Sequence, residues 1–284
     1  MFDRDRRFMK KGSPVAIIIS ISSDIGHALA LRWQSKGFNV YGTYRTPSSK
    51  IDELNALGIK TVHCDLTDNT SIQESCSFLS KTCLHWDYLV ICPGLQDPVD
   101  SFAGCDFSQW EQSINVNFIK QMQIIHELLP FRSKAASKPP VVLLFAGGGT
   151  NNATVNYSAY TVSKIALIKM CELLDAEIPD TSFTILGPGW VRTKIHESTL
   201  KAGTKAESNY QKTIEKLGGK DCTPMEKVLD CCDWIINEER NVIGGRNFSV
   251  VFDQWGTGEL KVSLLKDPNM YKLRRHGNER LIKI

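Results

Sequence analysis

Short apolar runs alternate along this chain with longer stretches in which apolar residues recur every three or four positions. The runs AIII (16–19), VVLLF (141–145) and FTIL (183–186) carry no polar residue on every second position except Thr184, as strands covered on both faces do. The pattern predicts strands at 15–20, 38–44, 60–64, 88–92, 141–146, 181–187 and 248–252. Between them it predicts helices at 25–36, 71–83, 107–129, 157–178 and 224–236. Strand–helix alternation of this kind predicts an α/β fold: a doubly wound parallel sheet of about seven strands, helices on both faces, and ligands at the carboxyl ends of the strands.

No internal repeat, low-complexity tract or Pro/Ser-rich linker divides the 284 residues, which suit a single large domain. The expected organisation is an N-terminal arm (1–13), one domain (14–253) and a C-terminal extension (254–284). The basic ends are expected to be solvated tails, or, for the C-terminal one, a tail packed on a neighbouring subunit. The least regular stretch, 192–221, is rich in Lys, Gly, Thr and Glu. It is either a mobile flap over the site or a segment with short helices that the pattern does not reveal.

Composition narrows the function classes. A net charge of +3 gives no reason to expect a nucleic acid or an anionic membrane as partner. No apolar run reaches the roughly 18 residues of a membrane span, and the first residues lack the apolar stretch of a signal peptide. Nine cysteines, an odd number and without a C-x-x-C pair, read as reduced thiols in a cytoplasm. The six histidines are dispersed, so no metal centre is expected.

The chemistry concentrates at strand ends. Tyr160 and Lys164, four residues apart, share one helix face just after the glycine-rich turn 147–149. An ammonium beside a phenol favours the phenolate; a tyrosine working at neutral pH needs a shift of about 3 units, or about 4 kcal/mol. The first strand runs into Ser20-Ile-Ser22-Ser23-Asp24-Ile25-Gly26 and then a helix, a geometry that offers backbone N–H groups to a phosphate. A helix cap by Ser22, Ser23 or Asp24 explains the same residues. After the second strand stands Arg45 with no nearby acidic residue, which favours the 2′-phosphate of NADP over NAD. Asp65 and Leu66 follow the third strand as candidates for the adenine edge and face, with Asp68 as a helix cap. Pro93 and Gly94 form a small-residue turn after the fourth. Arg192, Lys194 and His196 are either solvated flap charges or contacts for an anionic group.

The order of these pieces resembles the short-chain dehydrogenase/reductase family, in its single-domain Rossmann-fold branch, over roughly residues 14–253. The family's T-G-x-x-x-G-I-G turn falls on 19–26, its N-N-A-G turn on 91–94, and its helical asparagine on Asn117, seven residues after Trp110. Its Y-x-x-x-K falls on Tyr160 and Lys164, and its P-G turn on Pro188-Gly189, with Val191 in that loop and Thr193 at the carboxamide-binding position. The resemblance implies that Tyr160 transfers a proton, that Lys164 lowers its pKa and holds the nicotinamide ribose, and that Asn117 anchors a water in a proton relay. It also implies homo-oligomers, dimer or tetramer, paired through the helices at 107–129 and 157–178. The tail and the glycine run are similar to a branch linked to bacterial surface-sugar synthesis.

Two departures stand out. The family's serine, thirteen residues before the tyrosine, is Gly147 here, leaving Thr150, Ser158 or a backbone N–H to polarise the substrate. Ser20 and Asp24 replace two turn glycines. The expected function is NADP(H)-dependent interconversion of a ketone and an alcohol on a small, polar substrate such as a sugar derivative. The alternatives are a nucleotide-sugar epimerase or dehydratase with a retained cofactor, and a catalytically silent NADP-binding regulator or scaffold.

Overall fold

The computed structural model describes residues 12–134, 138–219 and 221–276. Seven strands form one parallel sheet in the order β3-β2-β1-β4-β5-β6-β7. They are β1 (Val15–Ile19), β2 (Asn39–Tyr44), β3 (Lys60–His63), β4 (Tyr88–Ile91), β5 (Val141–Phe145), β6 (Ser182–Gly187) and β7 (Asn247–Ser249). The neighbours pair in parallel throughout; Ile19 lies opposite Ile91, and Phe145 opposite Leu186. Successive side chains of a strand point to opposite faces. Ala16 and Ile18, with Val141, Leu143 and Phe145, enter one core beside α1 (Asp24–Ser35), α9 (Met225–Asn237) and α11 (Gly258–Lys266). Ile17 and Ile19, with Val142 and Leu144, enter the other beside α3 (Asn69–Cys83), α5 (Lys120–Leu128) and α6 (Ser158–Glu177). The apolar runs are continuous because both faces are buried. The doubly wound sheet is as expected.

The chain leaves β1 toward β2 on one side and reaches β4 on the other. The sheet order therefore reverses between β1 and β4, and the strand ends splay there into a crevice.

Four differences from the sequence pattern have local causes. The helix expected over 107–129 is α4 (Phe107–Ile114), a π-turn at Asn115–Ile119, and α5. Helix α2 (Ser49–Ala56) was missed because only Ile51 and Leu54 of its eight residues are buried. The segment 192–221 holds α7 (Glu197–Ala202) and α8 (Ser208–Gly218). Only Thr199 and Thr213 of these helices are fully buried, and Leu200 and Ile214 are exposed. Strand β7 stops at Ser249, because its hydroxyl accepts the N–H groups of Val251 and Phe252 and turns the chain.

Within the C-terminal extension, α11 buries Leu260 and Leu264. After α10 (Arg240–Ile243), the buried Arg246 guanidinium donates to the carbonyls of Asn241, Val242, Leu264, Asp267 and Met270. The Tyr271 carbonyl accepts the Asn247 N–H at the edge of the sheet. The arm residues 1–11 and the tail residues 277–284 lie outside the described residues. No helix among the described residues is long and apolar enough to cross a membrane.

Candidate active site

A cleft of about 1740 Å³ runs across the carboxyl ends of the strands at the β1/β4 crevice. Its walls include Ser20, Ser22, Ser23, Asp24, Ile25, Arg45, Asp65, Leu66, Pro93, Gly94, Tyr160, Lys164, Pro188, Gly189, Val191 and Thr193. Asn117 is fully buried behind the wall.

The β1–α1 turn is built by short-range bonds. Ser20 takes a left-handed conformation (φ 62°), and its N–H donates to the Thr43 hydroxyl. Ser23 caps α1 by accepting the Gly26 N–H. Gly26 has to be glycine, since a Cβ there would lie 2.7 Å from the Ser20 carbonyl oxygen. The N–H groups of Asp24 and Ile25 have no protein acceptor among the described residues and sit at the positive end of the α1 dipole. These free donors, facing the cleft, fit a pyrophosphate. Asp24 does not cap the helix. Its carboxylate accepts from Lys50 Nζ (2.6 Å) and from the Lys194 N–H (2.8 Å). Burial alone would raise the Asp24 carboxyl, but Lys50 and Lys194 outweigh it and hold it below the ordinary carboxylate value.

At the far end, exposed Arg45 stands beside Ser48, Ser49 and Lys50 at the start of α2. Asp65 accepts the N–H and hydroxyl of Thr67, which, with burial opposing and Arg45 assisting, keep its carboxyl low. Leu66 is half-buried on the same wall, and Asp68 caps α3 through the Thr70 N–H.

At the other end Tyr160 and Lys164 project from one face of α6. Lys164 Nζ lies 5.9 Å from the Tyr160 ring centroid and donates to the carbonyls of Phe145 (3.1 Å) and Pro93 (3.3 Å). Burial pushes the phenol up to about 12 and the ammonium down to about 8. The phenol thus shifts opposite to the direction the neighbouring lysine suggests, because burial penalises the phenolate.

Asn117 clamps the β4–α4 loop: Oδ1 accepts the Leu95 N–H (2.8 Å) and Nδ2 donates to the Leu95 carbonyl (2.7 Å). The π-turn places it there. Its amide is committed to Leu95 and Ser113, so the structure gives it a positioning contact. Gln121, absent from the sequence reading, donates to the same Pro93 carbonyl as Lys164 (3.2 Å).

Gly147 adjoins the tyrosine. A Cβ at that position would lie 2.7 Å from both Cε1 and the hydroxyl oxygen of Tyr160. The ring occupies the volume a serine side chain would need. Of the suggested substitutes, Ser158 accepts from Trp110 Nε1 away from the cleft wall, whereas Thr150 and the glycine run line it.

In the 188–196 loop, Gly189 (φ 75°) could not carry a Cβ, which would meet Val251 Cγ2 at 2.5 Å. Val191 is buried and Thr193 extended. Of the candidate anion contacts, Arg192 donates to the Gly219 carbonyl and Lys194 offers its backbone to Asp24. His196 is buried, stacked on Trp190 at 4.4 Å and hydrogen-bonded to the Val191 carbonyl. Burial lowers its pKa, so His196 is a neutral packing residue and not a flap cation. The Tyr160 end of the cleft also includes residues with no sequence signal. Tyr157 shares a hydrogen bond with Thr199 (2.8 Å), Thr199 with Gln96 (3.2 Å), and Ser198 donates to Asp97 (2.8 Å).

A family model described as short chain dehydrogenase matches residues 14–203. The chain belongs to that family. Its members are oxidoreductases that bind NAD(P), and they commonly act on small molecules as oligomers. The chain is 24% identical over 235 residues to dehydrogenase/reductase SDR family member 6 of Danio rerio, covering 81% of this chain and 93% of that one. A short chain dehydrogenase/reductase from Saccharomyces cerevisiae superimposes with a TM-score of 0.75 at 17% identity, over 87% of this chain and 98% of that one. An actinorhodin polyketide ketoreductase with NADPH gives 0.71 at 17% identity, over 84% and 95%. The two structural likenesses are likenesses of fold.

Proposed function

We propose that this short-chain dehydrogenase is an NADP(H)-dependent oxidoreductase that interconverts a ketone and an alcohol on a small, polar substrate such as a sugar derivative. The observation that carries the reading is the layout of one cleft, with the Tyr160–Lys164 pair at one end, free helix donors in the middle and Arg45 at the other end. Ser20, Ser22, Ser23, Asp24 and Ile25 would surround a pyrophosphate. Asp65 and Leu66 would flank the adenine, and Arg45 would meet a 2′-phosphate. Pro93, Gly94, Pro188, Gly189, Val191 and Thr193 would enclose the nicotinamide half. NADPH in the polyketide ketoreductase of the same fold is consistent with that choice.

A bound nicotinamide supplies or accepts the hydride. The protein handles the proton. In reduction the Tyr160 O–H would donate its proton to the substrate carbonyl oxygen, and in oxidation the phenolate oxygen would take the proton of the alcohol. A phenol held near 12 is protonated at neutral pH, the form that an acid needs. Lys164 offsets the charge left on the phenolate oxygen. Polar groups at the substrate end, Gln96, Thr150 and Thr199, suit a hydroxylated substrate. Phe107 in α4 and Ile119 in the π-turn, with Val162 and Leu173 on α6, are exposed and support pairing of two copies there. Nine free thiols suit a reducing, cytoplasmic setting.

The test is a fluorescence titration with NADPH and NADH. The reading requires NADPH to bind at least about tenfold tighter, equivalent to 1.4 kcal/mol. Turnover of a hydroxyketone panel with NADPH should fall about 10²-fold or more in Tyr160→Phe. Binding of neither dinucleotide overturns the proposal, and binding without any turnover sensitive to Tyr160 leaves the silent-scaffold alternative.

A further inference from the structure

Asp24 poses an electrostatic problem. It is the first residue of α1, on the wall where the helix presents its free N–H groups, and a carboxylate there repels an incoming phosphate. The structure compensates that charge from two directions. Lys50, from the start of α2, places Nζ 2.6 Å from Oδ1. Lys194, 170 positions away at the base of the flap, gives its backbone N–H to Oδ2 at 2.8 Å. Both side chains of the ion pair are mostly shielded from solvent, at 32% exposure for Lys50 and 22% for Asp24, so salt screens the pair less than a surface one.

One carboxylate therefore joins three segments that are remote in sequence: the phosphate turn, the helix after β2 and the flap over the substrate end. Further contacts fasten the rest of the flap to the body, from Thr199 to Tyr157 and from Lys205 to Asp100. Only the Asp24 contact reaches from the flap to the phosphate turn among the hydrogen bonds of the described residues.

We propose that Asp24 and Lys50 form a charge-compensated strap that ties the base of the flap to the phosphate turn. Lys50 is thereby a positioning residue for dinucleotide binding that does not discriminate between NADP and NAD. The proposal rests on the dinucleotide reading of the cleft. Its division of labour is specific: Arg45 selects the 2′-phosphate, whereas Lys50 neutralises Asp24 so that any pyrophosphate can approach.

The test uses the full chain and two readouts. Lys50→Met leaves Asp24 with only the Lys194 N–H beside it and no cation, so affinities for NADPH and NADH both fall by at least tenfold and by similar factors. Adding Asp24→Asn to Lys50→Met removes the charge itself and restores both to within about threefold of wild type. Arg45→Ala weakens NADPH alone. Independently of nucleotide, Asp24→Asn speeds amide hydrogen exchange over residues 190–200 at least fivefold, because a neutral amide is a weaker acceptor for the Lys194 N–H. Lys50→Met weakening only NADPH would make Lys50 a 2′-phosphate ligand and overturn the proposal, as would failure of Asp24→Asn to rescue. If wild type binds neither dinucleotide, the functional reading falls together with the role of Lys50 in binding. Unchanged exchange over 190–200 in Asp24→Asn removes the strap itself.

Discussion

Restoring the family's serine at position 147 should harm this protein. The Cβ that Gly147→Ser adds would sit 2.7 Å from Tyr160 Cε1 and hydroxyl oxygen and 2.8 Å from Cζ. Non-bonded carbon atoms rest about 3.5–4.0 Å apart, so the ring or the β5–α6 turn must retreat by about 1 Å. Overpacking of this kind costs about 1–3 kcal/mol. With an unfolding entropy of about 2.1 cal/mol/K per residue over 284 residues, that is a Tm lower by about 2–5 °C. The same retreat moves the hydroxyl that transfers the proton, and a misplacement of 1 Å costs about 10²-fold in rate. The assay is a thermal melt of four proteins: wild type, Gly147→Ser, Tyr160→Ala and the double variant. The serine should destabilise in the wild-type background and be nearly neutral once the ring is gone, with a coupling of about 1–3 kcal/mol. An unchanged Tm for Gly147→Ser, or a zero coupling, would show that the ring does not pack on this glycine. Turnover raised by the serine would show that the missing hydroxyl, not the packing, limits the chemistry.

Burial of Lys164 predicts a pH signature. Its folded-state pKa of about 8 lies below the ordinary 10.5, so the unfolded chain holds more protons between those values and stability rises with pH across that window. Wild type should therefore gain up to about 3 kcal/mol relative to Lys164→Met between pH 8 and 10.5, read by urea unfolding; a constant difference contradicts it. Arg246→Met strips five carbonyls of their donor and should cost at least about 3 kcal/mol. Faster hydrogen exchange should be confined to 264–273, the segment whose last residues wall the cleft. Uniform exchange would refute the clamp. Gly189→Ala meets both a left-handed backbone and a 2.5 Å contact with Val251, and should lower stability by about 1–3 kcal/mol while weakening nucleotide binding. Unchanged affinity would separate that turn from the site.

Chain order and local periodicity made much of this protein legible. Runs such as VVLLF announce strands covered on both faces, because every second position along a strand shares one face. The four-residue spacing of Tyr160 and Lys164 places them together because a helix turns every 3.6 residues. Ser23 and Asp68 cap helices through bonds to N–H groups two or three residues on, which lie within the reach of a sequence pattern. The short helices α2, α7 and α8 escaped because none exceeds 11 residues and few of their apolar side chains are buried.

The contacts that distinguish this cleft belong to tertiary structure. That Gly147 makes room for the Tyr160 ring, that Asn117 is spent on Leu95, and that His196 is buried against Trp190 depend on how elements pack after they form. Asp24 carries the difference furthest. A sequence pattern can place it at the head of a helix, but its two partners arrive from 26 and 170 positions away. Local propensity acts over a few residues, whereas charge compensation and steric fit act over a few ångströms, and only folding turns the second distance into contact.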